Sequence, residues 1–238
     1  MKKYFNVLFL LFVLFSCILS SDQAINAMNH IFNTSSEPEK KQLIVAIDPG
    51  HGGVDPGKVG VNHALEKDIN LSIALKLKNL LEHNDIKVVM TRQEDVGLYS
   101  PGDSNKKRAD MLARVTLIKE CKADLAVSIH QNSFTEEYVK GAQVFYHTKS
   151  EKGKLLAEIL QEQIVATLAD GNHRKAKSNN NYYMLKNTDC PLVIVECGYL
   201  SNIREAGLLL EESYQERMAY AIHLGIMRFI NRSKICYI

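Results

Sequence analysis

Leu43-Ile44-Val45-Ala46-Ile47-Asp48-Pro49-Gly50-His51-Gly52-Gly53 is the stretch on which the fold reading turns. Its apolar half, Leu43–Asp48, is too short for a helix and is halted by Pro49 and the glycines, so it reads as a buried strand. Downstream, Lys67–Leu81 sets Ile69, Ile73, Leu77, Leu80 and Leu81 on one helical face. Lys87–Thr91 reads as a second strand, Ala109–Cys121 as a second helix and Leu125–His130 as a third strand. Gly141–Tyr146 follows as a fourth strand, Gly153–Ala169 as a long helix, Leu192–Cys197 as another apolar strand and Tyr214–Asn231 as the closing helix. Short apolar strands alternating with helices predict an α/β fold: a single domain with a mainly parallel central sheet and helices on both faces.

The chain around that domain divides in three. Residues 1–21 begin with Lys2 and Lys3 and run on almost wholly apolar from Tyr4 to Leu19, the pattern of a signal peptide or signal anchor. The apolar run is short against the roughly 20 residues of a membrane span, which favours a secretory signal, while an uncleaved membrane tether stays open. Leu14-Phe15-Ser16-Cys17 outlines a lipoprotein cleavage box, with bulky Phe15 where a small residue is usual. Residues 22–42 are polar, end in Ser35-Ser36-Glu37-Pro38-Glu39-Lys40-Lys41 and read as a linker. The catalytic domain is expected over 43–232, outside the cytoplasm.

Composition narrows the function. The 238 residues carry a formal charge of +2, and Lys2 and Lys3 supply that whole surplus. A domain without excess positive charge argues against nucleic acid, and Lys106-Lys107-Arg108 reads as a solvated loop. The five cysteines (Cys17, Cys121, Cys190, Cys197 and Cys236) form no Cys-x-x-Cys pair, so the four beyond the leader read as small buried apolar groups.

In open parallel sheets ligands gather beyond the carboxyl ends of the strands. The first strand runs into His51, the third ends at His130, the late strand ends at Glu196, and Glu66 opens the first long helix. Two imidazoles and a carboxylate are a catalytic zinc set that leaves one position for water, with Glu196 free to act as a general base. A glycine-rich turn before a helix also raises a phosphate cradle, but neither Gly-Lys-Ser/Thr nor a properly spaced G-x-G-x-x-G is present. A histidine at a strand end is as often structural, whereas a glutamate closing an LVIV run points to a cleft.

Ile47–Gly53 (IDPGHGG), Asp55–Gly57 (DPG), Leu65–Leu71 (LEKDINL), Met90–Arg92 (MTR), Ala123–Asn132 (ADLAVSIHQN) and Val193–Asn202 (VIVECGYLSN) together resemble the zinc-dependent N-acetylmuramoyl-L-alanine amidase family, the third amidase family. The resemblance spans about Leu43 to Ile230. It implies His51, Glu66 and His130 as zinc ligands and Glu196 as the catalytic carboxylate, with peptidoglycan as substrate and the muramoyl–L-alanine amide as the bond cut. Arg114 falls where the family often has an arginine, and reads as structural; Lys119 stands where it usually has Asn. Tyr99–Arg114 (YSPGDSNKKRADMLAR) is similar to the germination-specific amidases of spore-forming bacteria, which implies a role in cortex maturation or germination.

The competing readings are a zinc peptidase acting within the stem peptide and a non-catalytic amidase-like module that binds peptidoglycan or a partner. His63, three residues before Glu66, is the alternative ligand; His30, His83, His147, His173 and His223 read as unclustered surface groups. The ten-residue connection after His130 has no room for an occluding helix, so regulation would fall to an activating protein partner or to expression timing.

Overall fold

The computed structural model describes residues 42–235, together with residues 9, 23–26 and 28, and divides the chain into two compact units, Met1–Lys41 and Gln42–Ile238. In the first unit residues 23–26 are helical. The leader expected over 1–21, Cys17 and most of the 22–42 linker lie outside the described residues. Among the described residues no helix is long and apolar enough to cross a membrane.

From Gln42 the elements run β1 (Ile44–Pro49), α1 (Glu66–Glu82), β2 (Lys87–Met90), α2 (Lys106–Glu120), β3 (Leu125–Asn132), β4 (Gln143–Tyr146), α3 (Glu151–Leu168), β5 (Lys177–Ser178), α4 (Tyr183–Asn187), β6 (Leu192–Tyr199), α5 (Ile203–Leu208) and α6 (Glu212–Ile235). The sheet has six strands in the order β2-β1-β3-β6-β4-β5. β1 pairs parallel with β2 and β3, and β3 parallel with β6, whereas β4 meets β6 antiparallel. The expected α/β architecture is therefore present, with one antiparallel junction.

Period-two alternation distributes each strand between two cores. Val45 and Ile47 of β1, Val127 and Ile129 of β3, and Val193 and Val195 of β6 pack with α1, α3 and α6. Ala46, Ala126 and Ile194 face the other way, onto Val115 and Ile118 of α2 and Met184 and Leu185 of α4. The strands bury both faces, which is why they read as continuous apolar runs. Cys197 belongs to the first core, opposite the side on which Glu196 projects.

Polar caps mark the starts of α2, α3 and α5. The Ser150 side chain accepts from Gly153 N at 3.0 Å ahead of α3, and Asn105 accepts from Arg108 N at 3.0 Å ahead of α2. α2 therefore begins at Lys106, and the Lys106-Lys107-Arg108 run, expected in a loop, is its first turn. Cys197 is buried as expected, but Cys121 and Cys190 are only partly buried. β5, α4 and α5 carry too few residues for any hydrophobic period to register.

Candidate functional site

His51, Glu66 and His130 each offer one donor atom, and these atoms all lie within 4.8 Å of one another. Each comes from a different element: His51 from the loop after β1, Glu66 from the first position of α1, His130 from the far end of β3. Glu196 on β6 is the register partner of His130. His130 and Glu196 project from the same sheet face as Ala126 and Ile194, toward α2 and α4.

The loop that carries His51 is held from several directions. His51 adopts φ +63°, a left-handed conformation that costs a non-glycine residue about 1 kcal/mol or more. Arg114, 1% exposed, donates from Nη2 to His51 O at 2.6 Å and from Nη1 to Pro49 O at 2.8 Å and Asp48 Oδ1 at 2.7 Å. Arg92 donates from Nε to Pro49 O at 2.9 Å and from Nη2 to Gly50 O at 3.0 Å. Two guanidinium groups thus bind three successive carbonyls and fix the turn. A Cβ on Gly50 would collide with the His130 ring, so this position admits only glycine. Burial pushes the Asp48 carboxyl up, but the Arg114 guanidinium and the Ser128 and Thr91 hydroxyls more than offset it and hold its pKa at about 2.

The orientation of His51 follows from Asp55, whose Oδ2 lies 2.9 Å from Nδ1. Burial alone would raise the Asp55 pKa; the His51 and Gly57 N–H bonds outweigh it, so the carboxylate is ionised. An ionised carboxylate accepts only, so Nδ1 donates to Asp55 and Nε2 is the ring nitrogen turned to the site, 3.3 Å from Glu66 Oε1. Glu66 is equally fixed. Its Oε2 accepts from Lys58 N at 2.7 Å and its Oε1 from Gln131 N at 3.1 Å, with His130 Nδ1 at 3.0 Å. Burial opposes its charge, but the bonds and charges of His130 and His51 dominate, and the pKa lies well below the carboxylate range.

Glu196 is 7% exposed. Its Oε1 accepts from the Tyr182 hydroxyl at 3.3 Å, while its buried Oε2 has no protein partner. Burial, reinforced by the charge of Glu66, raises its pKa against the opposing pull of His130. The site opens into a cleft of about 440 Å³ whose lining includes His51, Glu66, His130, Tyr182 and Glu196. Two imidazoles, one ionised carboxylate and an unpartnered carboxylate oxygen beside them fit a catalytic zinc ion with an open position.

All four residues read from the sequence converge here. His63 does not join them; it is exposed, in a turn at φ +65°. His223, expected at the surface, is buried on α6 with Nε2 3.2 Å from Asn84 Nδ2, because that helix turns it inward. The sequence reading holds Asp55 and Arg92 only as members of motifs, without a role, and Tyr182 not at all. The four-residue spacing of Asp55 from His51 was a usable signal, whereas Tyr182 reaches Glu196 only through the tertiary fold.

An α/β domain with a His–Glu–His group at the carboxyl edge of its sheet defines the class: a doubly covered sheet whose cleft carries a group able to hold a metal ion. Residues 45–228 match the family model described as N-acetylmuramoyl-L-alanine amidase, and the chain belongs to that family. The germination-specific N-acetylmuramoyl-L-alanine amidase of Bacillus subtilis is 37% identical over 189 residues, covering 78% of this chain and 79% of that protein. The CwlD amidase of Clostridioides difficile, solved in complex with the GerS lipoprotein, superposes with a TM-score of 0.78 at 36% identity, over 80% of this chain and 99% of that one. The catalytic domain of the CwlV amidase from Bacillus (Paenibacillus) polymyxa gives a TM-score of 0.70 at 30% identity, over 80% and 99%.

Proposed function

We propose that this chain is a zinc-dependent peptidoglycan amidase that hydrolyses the bond between N-acetylmuramic acid and L-alanine. The observation that carries the reading is the convergence of His51, Glu66 and His130 beside the unpartnered Oε2 of Glu196, in a member of the amidase family. His51, Glu66 and His130 would hold the ion, and an N₂O donor set favours zinc among the common divalent metals. When bound, zinc supplies a Lewis acid that polarises a carbonyl and lowers the pKa of water from about 15.7 to about 7.

The protein groups carry the protons. Glu196 takes a proton from the attacking water through Oε2 and returns it to the departing L-alanine nitrogen, which leaves poorly as an anion. Tyr182 donates to the other carboxylate oxygen and so fixes the orientation of the carboxylate. Asp55 keeps the His51 proton on Nδ1, and the Arg92 and Arg114 clamps hold the loop that presents the ring.

The likeness to a germination-specific amidase supports a role in spore cortex maturation or germination. The leader-like 1–21 and the linker 22–42 support action outside the cytoplasm, with an N-terminal membrane tether or a cleaved signal as the two routes. The complex of the C. difficile relative with a lipoprotein supports an accessory protein partner for this chain as well.

The test is mass spectrometry of purified peptidoglycan digested with added zinc and with chelator. Stem peptides beginning at L-alanine, released only with metal, are expected. Cuts inside the stem peptide would replace the amidase by a peptidase, and glycan binding without products would replace it by a binding module.

A further inference from the structure

The cleft contains cationic groups for which the chemistry above has no use. Of the charged side chains lining it, Asp48 and Asp110 pair with Arg114, Asp55 pairs with His51, and Glu66 pairs with both imidazoles. Lys58 and Lys107 also line the cleft, and among the described residues neither ammonium has a carboxylate within 4 Å.

Their backbones are well placed for a binding role. Lys58 donates its N–H to Glu66 Oε2 at 2.7 Å, and its carbonyl accepts from Glu66 N at 3.0 Å, so its backbone is locked to Glu66. Lys107 sits in the first turn of α2, a turn with three basic residues and no acidic one. The helix dipole disfavours cations there. Local rules are broken in this way chiefly where function demands it. The domain as a whole carries no surplus of positive charge, so two ammonium groups with no contacting carboxylate in one cleft, Lys107 also within electrostatic reach of Asp55, are a local arrangement.

We infer that Lys58 and Lys107 form an anion subsite that receives the free α-carboxylate of the second stem residue, and that they make the enzyme prefer a carboxylate there over a carboxamide. This rests on the amidase reading. In muramoyl peptides L-alanine is followed by a D-glutamyl residue joined through its side-chain carboxyl, which leaves the α-carboxylate one residue beyond the cut. In an extended chain that group lies about 7 Å from the scissile nitrogen. An ammonium on a flexible four-carbon stem, rooted beside the metal ligand, suits a carboxylate at that separation. Replacing the carboxylate by a carboxamide removes the charge-assisted bonds, a difference of about tenfold to a hundredfold.

The test compares two muramoyl tripeptides that differ only in a free or amidated α-carboxyl on the second residue. Cleavage by the zinc-loaded full chain gives kcat and KM for each, and calorimetry with the Glu196→Gln protein gives binding without turnover. The wild-type protein is expected to favour the free acid at least about tenfold, mainly through KM. In Lys58→Gln/Lys107→Gln that ratio falls toward one, with circular dichroism reporting an intact fold. Arginine at both positions keeps the charge and restores the preference. A wild-type ratio near one, or a preference that persists in the double glutamine variant, overturns the subsite. If neither peptide is cut yet the Glu196→Gln protein still binds the free acid more tightly, the amidase reading fails and the subsite stands. If neither is cut and binding does not discriminate, both fall.

Discussion

His51 donates through one ring nitrogen to Asp55 and presents the other beside Glu66, so Asp55 acts on the orientation of the ring, whereas Glu196 makes no bond to it, and removing each has a distinct consequence. Asp55→Ala frees the ring to rotate and to change tautomer, and zinc affinity is expected to fall about tenfold to a hundredfold in a chelator competition. Glu196→Gln keeps the shape and the Tyr182 contact but abolishes the base, so hydrolysis is expected to drop about a hundredfold to ten-thousandfold while zinc still binds. A Glu196→Gln protein with undiminished turnover would assign the proton transfers to another group. Gly57 belongs to the same scale. It sits at φ +69°, and a Cβ there would approach Glu66 Cβ and the His51 ring, each at 2.8 Å. Gly57→Ala is therefore expected to weaken zinc binding, although no ligand atom is altered.

At the scale of elements, β1 and its turn couple stability to the site. Asp48 at the end of β1 has its pKa held at about 2, below its ordinary 3.8, through Arg114, Ser128 and Thr91. A carboxyl lowered in the folded state binds its proton less readily there than in the unfolded chain. Its contribution is present in full above pH 3.8 and is lost as pH falls toward 2, a matter of about 2 kcal/mol. Urea midpoints measured between pH 5 and 2 are expected to fall across that window, and to fall less steeply in Asp48→Asn. The strand ends were legible in the sequence because apolar runs interrupted by Asp48, His130 and Glu196 announce both a buried strand and a reactive end. The helices beside them were legible from their period. Lys106-Lys107-Arg108 was misplaced because three cations are an unusual way to open a helix, and the Asn105 cap depends on a hydrogen bond that spacing alone does not reveal.

For the molecule as a whole, three segments between His51 and His130 converge on one group able to hold a metal ion, so the proposed function links metal binding to folding. A ligand that binds only the folded state stabilises it by about 4 kcal/mol at a thousandfold excess over its dissociation constant. For a domain of this length that is a Tm increase of roughly 8 to 16 °C with zinc over chelator, absent in His51→Ala. The sheet order and the pairing of β4 against β6 were not readable from the chain, since register is decided by contacts distant in sequence; the convergence of His51, Glu66 and His130 was, because parallel strands bring their carboxyl ends to one edge. The most direct test of the central claim is the zinc content of the dialysed protein and its variants. The account predicts one zinc per chain in the wild-type protein and in Glu196→Gln, and its loss in His51→Ala, Glu66→Ala and His130→Ala. Full zinc occupancy in any of those three, or its loss in Glu196→Gln, would contradict the division of the site into metal ligands and base.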